Sequence, residues 1–158
     1  MNEKLEIPRT KYHRAVNLAC IIMLAGTFIW LIINWQQLPD QLPAHYNGVG
    51  EIDRWGSKYE ILFCPIVAVL MYLGIGLLER HPQVWNTGVE VTRKNQLRIY
   101  TIVKNMIVTM KLVMVFVFTF ITVNTTTARP LPAWFLPGTL ILTFGPMIYF
   151  LIQLYKKR

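Results

Sequence analysis

Six side chains with useful chemistry crowd one short stretch. Leu38 to Lys58 reads LPDQLPAHYNGVGEIDRWGSK and holds His45, Glu51, Asp53, Arg54, Trp55 and Lys58. His45 with Glu51 or Asp53 has donor types that zinc accepts, but one histidine without fixed ligand spacing is a weak metal signature. His45 and Asp53 are also an acid–base pair by type, yet no nucleophile stands beside an obvious base. Asp53 and Arg54 could simply form an exposed ion pair, which contributes little. The reading that uses most of the residues is recognition. Tyr46 and Trp55 supply apolar contact area, while His45, Asp53 and Arg54 supply directed polar contacts. His45, Asn47, Asp53, Arg54, Trp55 and Lys58 make up the expected ligand-binding set on this loop. No catalytic residue, metal ligand or cofactor is expected.

Lys111 completes that set from elsewhere in the chain. It lies about eleven residues, or ~16 Å of helix, beyond Tyr100 within a long apolar run. A lysine near mid-membrane costs roughly 2.5–3.5 kcal/mol on insertion scales, so it must face the bundle interior, water or a partner. No Asp or Glu lies deep in an apolar run, and the expected acidic partners are Asp53, Glu51 and Glu60 on the outer side. Three readings stay open. Lys111 is the floor of an outward-facing polar cavity, favouring an anionic ligand such as a lipid headgroup or peptide carboxylate. Or it is a structural lysine with one buried partner, or it snorkels. Thr109, Thr119 and Thr143 could line such a cavity, although threonine back-bonding within a helix is commoner. Lys104, on the same helix face, is close enough to the boundary to snorkel.

These residues must be positioned by membrane helices. Four apolar runs, Ala15–Trp35, Tyr59–Leu78, Tyr100–Val123 and Trp134–Tyr155, fill most of the 158 residues. Each has about the twenty residues needed to cross a ~30 Å hydrocarbon layer as a helix. Helices satisfy their own backbone where water is absent. Hydrophobic residues make up 54% of the chain and mean hydropathy is +0.39, which excludes an ordinary soluble domain. The expected fold is therefore an all-α membrane protein. It is one polytopic domain over residues 1–158, with helices near 15–35, 59–78, 98–123 and 133–155. Pro39, Pro43, Asn47, Gly48, Gly50 and Gly56 make the loop between the first two helices compact and non-helical.

Charge gives the topology. Eleven basic residues lie in the N-terminal segment, the middle loop and the C-terminus, against three in the other two loops. That split places both termini and the middle loop in the cytoplasm. It also explains the net charge of +8 without nucleic acid. Cys20 and Cys64 fall within spans and read as small packing residues. Prolines and glycines in the second and fourth runs serve packing and shape, or a hinge. In the middle loop, Thr92 is a plausible helix cap, and Arg93, Lys94 and Arg98 meet anionic headgroups.

The loop pattern also resembles a known family. Leu-Pro twice, His-Tyr-Asn, then Gly-x-x-Asp-Arg-Trp-Gly-Ser-Lys is similar to a bacterial membrane domain of unknown function. That domain forms the N-terminal part of SdpI-type toxin-immunity proteins. The matching positions are Pro39, Pro43, His45, Asn47, Gly50, Asp53, Trp55, Gly56 and Lys58. A looser match runs through His81-Pro82, Trp85-Asn86, Asn95 and Tyr100. The resemblance implies a multi-pass protein of the bacterial cytoplasmic membrane that recognises a peptide toxin or amphiphile at the outer face. The alternative is a small lipid or solute transporter with a cavity near Lys111. An enzyme is not expected, because the spans hold no paired acidic residues. Expected partners are membrane lipids, a peptide toxin or amphiphilic ligand, and further copies of the chain; nucleic acid is not among them.

Overall fold

In a computed structural model, residues 7–157 are described. Lys4 and Arg158, two of the basic residues counted above, lie outside the described residues. The helices are α1 (Lys11–Asn34), α2 (Phe63–Glu79), α3 (Gln96–Thr125) and α4 (Phe135–Lys157). With their flanking turns all four are long and apolar enough to cross a membrane. The loop between α1 and α2 is a small antiparallel sheet of β1 (Gln41–Tyr46) and β2 (Ile52–Ser57). The expected compact, non-helical segment is thus a β-hairpin.

α3 is the central helix. From Ile99 to Thr122 none of its residues is exposed. α1, α2 and α4 pack along it, while α1 and α2 touch each other only sparingly. The core between α1, α2 and α3 is built on Val16, Cys20, Leu24, Ala68, Val108 and Val115. α4 is attached mainly at its two ends. Phe135 stacks on Phe120 of α3 with ring centroids 4.6 Å apart, and Leu154 packs with Trp85, Ile99 and Val103.

Local signals fix the helix ends. Thr10 caps α1: its hydroxyl accepts from the His13 N–H, while His13 Nδ1 accepts from the Thr10 N–H. Ser57 and Glu60 form a second capping box that turns β2 into α2. Pro65 sits in the first turn of α2, where its missing donor has no intrahelical partner to lose. Thr92 does not cap α3. It pairs with Asn95 in the turn before the helix, each bonding the other's N–H.

α3 has 30 residues, about 45 Å of helix, and so overhangs α2, which has 17. The connection between them folds back along the overhang. Trp85 packs on Ile99 and Val103, and its indole N–H donates to the Leu78 carbonyl at 2.7 Å. Lys104 lies on this stretch too. It is buried and donates to the carbonyl of Ile7 at 3.0 Å, so the segment before α1 covers it.

Candidate functional site

The hairpin is seated firmly on one end of the bundle. Leu42 is buried with Leu31, Leu38 and Ile61, against Trp35, Leu62 and Ala128. Burying a leucine contributes about 1.5–3 kcal/mol. Tyr46 Oη lies 3.2 Å from Thr125 Oγ1 at the end of α3. At the hairpin tip, Asn47 Oδ1 accepts from the N–H groups of Val49 and Glu51, an Asx turn. Gly50 has a φ of 87°, and its carbonyl accepts from the Leu131 N–H at 2.8 Å. The tip is therefore tied to the α3–α4 connection.

The outward face of the hairpin carries most of the expected set. The register slips on both sides of His45, which lies opposite Arg54 and bonds Asp53 Oδ1 through Nδ1 at 2.7 Å. Trp55 is 50% exposed on the adjoining strand. Arg54 Nη1 donates to Glu60 Oε2 at 3.0 Å while Glu60 Oε1 accepts from the Ser57 N–H. Gly56 makes room for this carboxylate: a Cβ there would lie 2.7 Å from Glu60 Cδ and 2.8 Å from Ala44 Cβ. Lys58 stands 5.5 Å from the Trp35 ring centroid and 3.7 Å from Asp40.

The set thus divides by task. Asn47 and Lys58 spend their polar groups on the hairpin and its seat. His45, Asp53 and Trp55 face outward, with Arg54 beside them. Asp40, Glu51, Asp53 and Glu60 outnumber Arg54, Lys58 and Arg129 by one, so this end carries a slight acidic excess although the chain is basic.

Lys111 is not part of that surface. It lies fourteen residues from Thr125, about 21 Å down α3 from the hairpin. The expectation that Asp53, Glu51 or Glu60 neutralises it from an outward-facing cavity is overturned. Lys111 Nζ donates to Glu79 Oε2 at 2.8 Å, and Lys111 is only 2% exposed. The reason is the overhang of α3. Depth counted from Tyr100 puts Lys111 in mid-membrane, but α2 ends at Glu79, so the ammonium sits where α2 terminates. Of the threonines proposed for the cavity, Thr109 and Thr119 instead bond the carbonyls of Asn105 and Val115.

The Lys111–Glu79 pair floors a crevice of about 520 Å³ between α1 and α2, at the end of the bundle opposite the hairpin. Asn17 Oδ1 accepts from Tyr72 Oη at 2.9 Å and from Lys111 Nζ at 3.4 Å. The Tyr72 ring lies under the same ammonium, 5.3 Å away. Arg9, Arg14 and Arg80 line the crevice above this floor. His13 stands between α1 and α3 as a neutral spacer. Its Nδ1 accepts from Thr10, so Nε2 carries the proton and donates to Asn105 Oδ1 at 2.7 Å. The sequence did carry a signal for this crevice: Asn17, Tyr72 and Glu79 are polar groups within or ending apolar helices. Only packing brings them to one place.

A family model described as "Domain of unknown function (DUF1648)" matches residues 22–69, covering the second half of α1, the hairpin and the start of α2. An uncharacterized protein of Archaeoglobus fulgidus is 30% identical over 87 residues, covering 50% of this chain and 48% of that protein. The chain spans about half the length of this curated relative. No solved structure matches the chain. Over the segment that holds the hairpin, the chain is therefore similar to a domain whose function has no description.

Proposed function

We propose that this is a non-enzymatic binding protein of the bacterial cytoplasmic membrane, with the hairpin at the outer face and both termini in the cytoplasm. Its hairpin recognises a cationic amphipathic peptide, of the kind a membrane-active toxin would be. The observation that carries the reading is the outward face holding the His45–Asp53 pair beside the half-exposed Trp55, on a hairpin tied down at both ends. A pre-organised surface binds with little ordering cost. Trp55 offers an aromatic anchor, and the local excess of carboxylates selects positive charge.

The test is protection and binding. Cells expressing the chain are challenged with a panel of cationic amphipathic peptides, and binding of the protective hits to purified protein is measured. Trp55→Ala and Asp53→Ala should abolish both readouts at unchanged membrane abundance. Loss in step with abundance would leave the hairpin a structural element and remove the reading. Handling of a lipid or solute is a second reading, favoured by the crevice over Lys111 and Glu79.

A further inference from the structure

The geometry points to a phosphate-bearing amphiphile as the occupant of the crevice between α1 and α2. Its anionic group lies among Arg9, Arg14 and Arg80, and its acyl chain runs along Leu18 and Leu73. This inference names a ligand class for the second reading above and stands apart from peptide recognition by the hairpin.

Charge is the first argument. The floor of the crevice is already neutral, because Glu79 answers Lys111. Among the described residues none of the three arginines has an ion-pair partner. They belong to two different elements, the start of α1 and the end of α2, and converge on one cavity. Positive-inside anchoring accounts for basic residues on this side of the bundle but not for their meeting at one cavity. Here they flank a hole. Guanidinium groups suit phosphate oxygens through paired donors, which a hydrated ammonium does less well.

Depth is the second argument. The arginines stand where α1 begins and α2 terminates, and the ends of helices that span a bilayer lie at headgroup level. Below them the wall turns apolar through Leu18, Leu73 and Leu77, all exposed between helices rather than buried in the core. Because α1 and α2 touch little, the crevice lies along their seam. A free phosphate would use only the charged end of such a site.

Space is the third. Gly76 lines the crevice, and a Cβ built on it meets nothing within 4 Å. Gly74, on the same helix, has equally open surroundings but does not line the crevice.

The test uses the full chain purified in mild detergent, with lipid retention read by native mass spectrometry. The probes are phosphatidic acid, phosphatidylcholine and glycerol 3-phosphate. Wild type should retain one phosphatidic acid, preferred over phosphatidylcholine by roughly tenfold or more, from about a few-fold per arginine. Glycerol 3-phosphate should not displace it; displacement at equal concentration would overturn the amphiphile assignment. Replacing Arg9, Arg14 and Arg80 together by Gln should remove the preference, while the same change at Arg93, Lys94 and Arg98 should leave it. Equal loss in both triple variants would reduce the effect to surface charge and overturn the site. Gly76→Phe should block retention with every charge in place, and Gly74→Phe should not. Full retention by Gly76→Phe would overturn occupancy of the crevice. Trp55→Ala should retain lipid normally, so failure of peptide recognition and failure of this site are separate results.

Discussion

Lys111 of α3 and Glu79 at the end of α2 form a buried ion pair at 2.8 Å. Breaking a buried pair from one side leaves an uncompensated charge and costs about 3–5 kcal/mol. Lys111→Met and Glu79→Leu alone should each lower membrane abundance and melting temperature in detergent. The double variant should recover most of both, because apolar replacement of a whole pair is often neutral. Lys111→Glu should be worse than Lys111→Met, and adding Glu79→Lys should rescue it. If Lys111→Met is as stable as wild type, the pair is not holding α2 to α3.

Gly50 is held against Leu131. A Cβ on Gly50 would lie 3.2 Å from Leu131 Cβ and 3.3 Å from its carbonyl oxygen, at a φ that L residues rarely adopt. Gly50→Ala should therefore cost about 1–3 kcal/mol and loosen the tip from the α3–α4 connection. Hydrogen exchange at the Leu131 N–H, which the Gly50 carbonyl accepts, is the direct measurement. Unchanged protection in Gly50→Ala would show that the tip is not pinned there.

The hairpin residues should separate under mutation. Asn47→Ala removes the acceptor for two backbone N–H groups and should lower abundance, at a cost of about 1–3 kcal/mol. Trp55→Ala and His45→Ala remove outward-facing groups and should leave abundance within about 0.5 kcal/mol of wild type while abolishing peptide binding. Parallel behaviour of all three variants would erase the division between scaffold and surface.

His13 joins the α1 cap to α3. His13→Phe keeps an aromatic ring but removes the partner of the Thr10 N–H and of Asn105 Oδ1, at a cost of about 0.5–1.5 kcal/mol for each lost hydrogen bond. Asn105→Leu should be milder, since it leaves the cap intact. Thermal melts of the two variants in the same detergent compare them, and equal loss would mean that the cap contributes nothing.

Topology can be read with reporters. A reporter active only outside the cytoplasm should work when inserted after Gly48, an exposed position in the hairpin tip, and be silent when fused after Lys157. Insertion after Gly50 is a poorer choice, because that residue is buried against Leu131. The reverse pattern would exchange the two faces of the membrane and move the hairpin to the cytoplasmic side.

The four helices, their approximate ends and the turn-rich segment between the first two are legible in the amino-acid sequence. Those features are local: apolar run length sets a span, and Pro, Asn and Gly set turns. The sequence also draws attention to His45, Asp53 and Trp55, which do share one surface, and to the odd position of Lys111. The tertiary structure alone decided what those residues meet. Asn47 and Gly56 look like recognition-motif residues in the sequence but serve the hairpin's own geometry, since their contacts are with its backbone and with Glu60. Depth counted along one apolar run places the partners of Lys111 on the wrong side of the bundle. Which groups share a level depends on how far antiparallel helices slide past each other. That slide is set by side-chain packing along the whole of α3, including Trp85 on its overhang, and no local pattern encodes it.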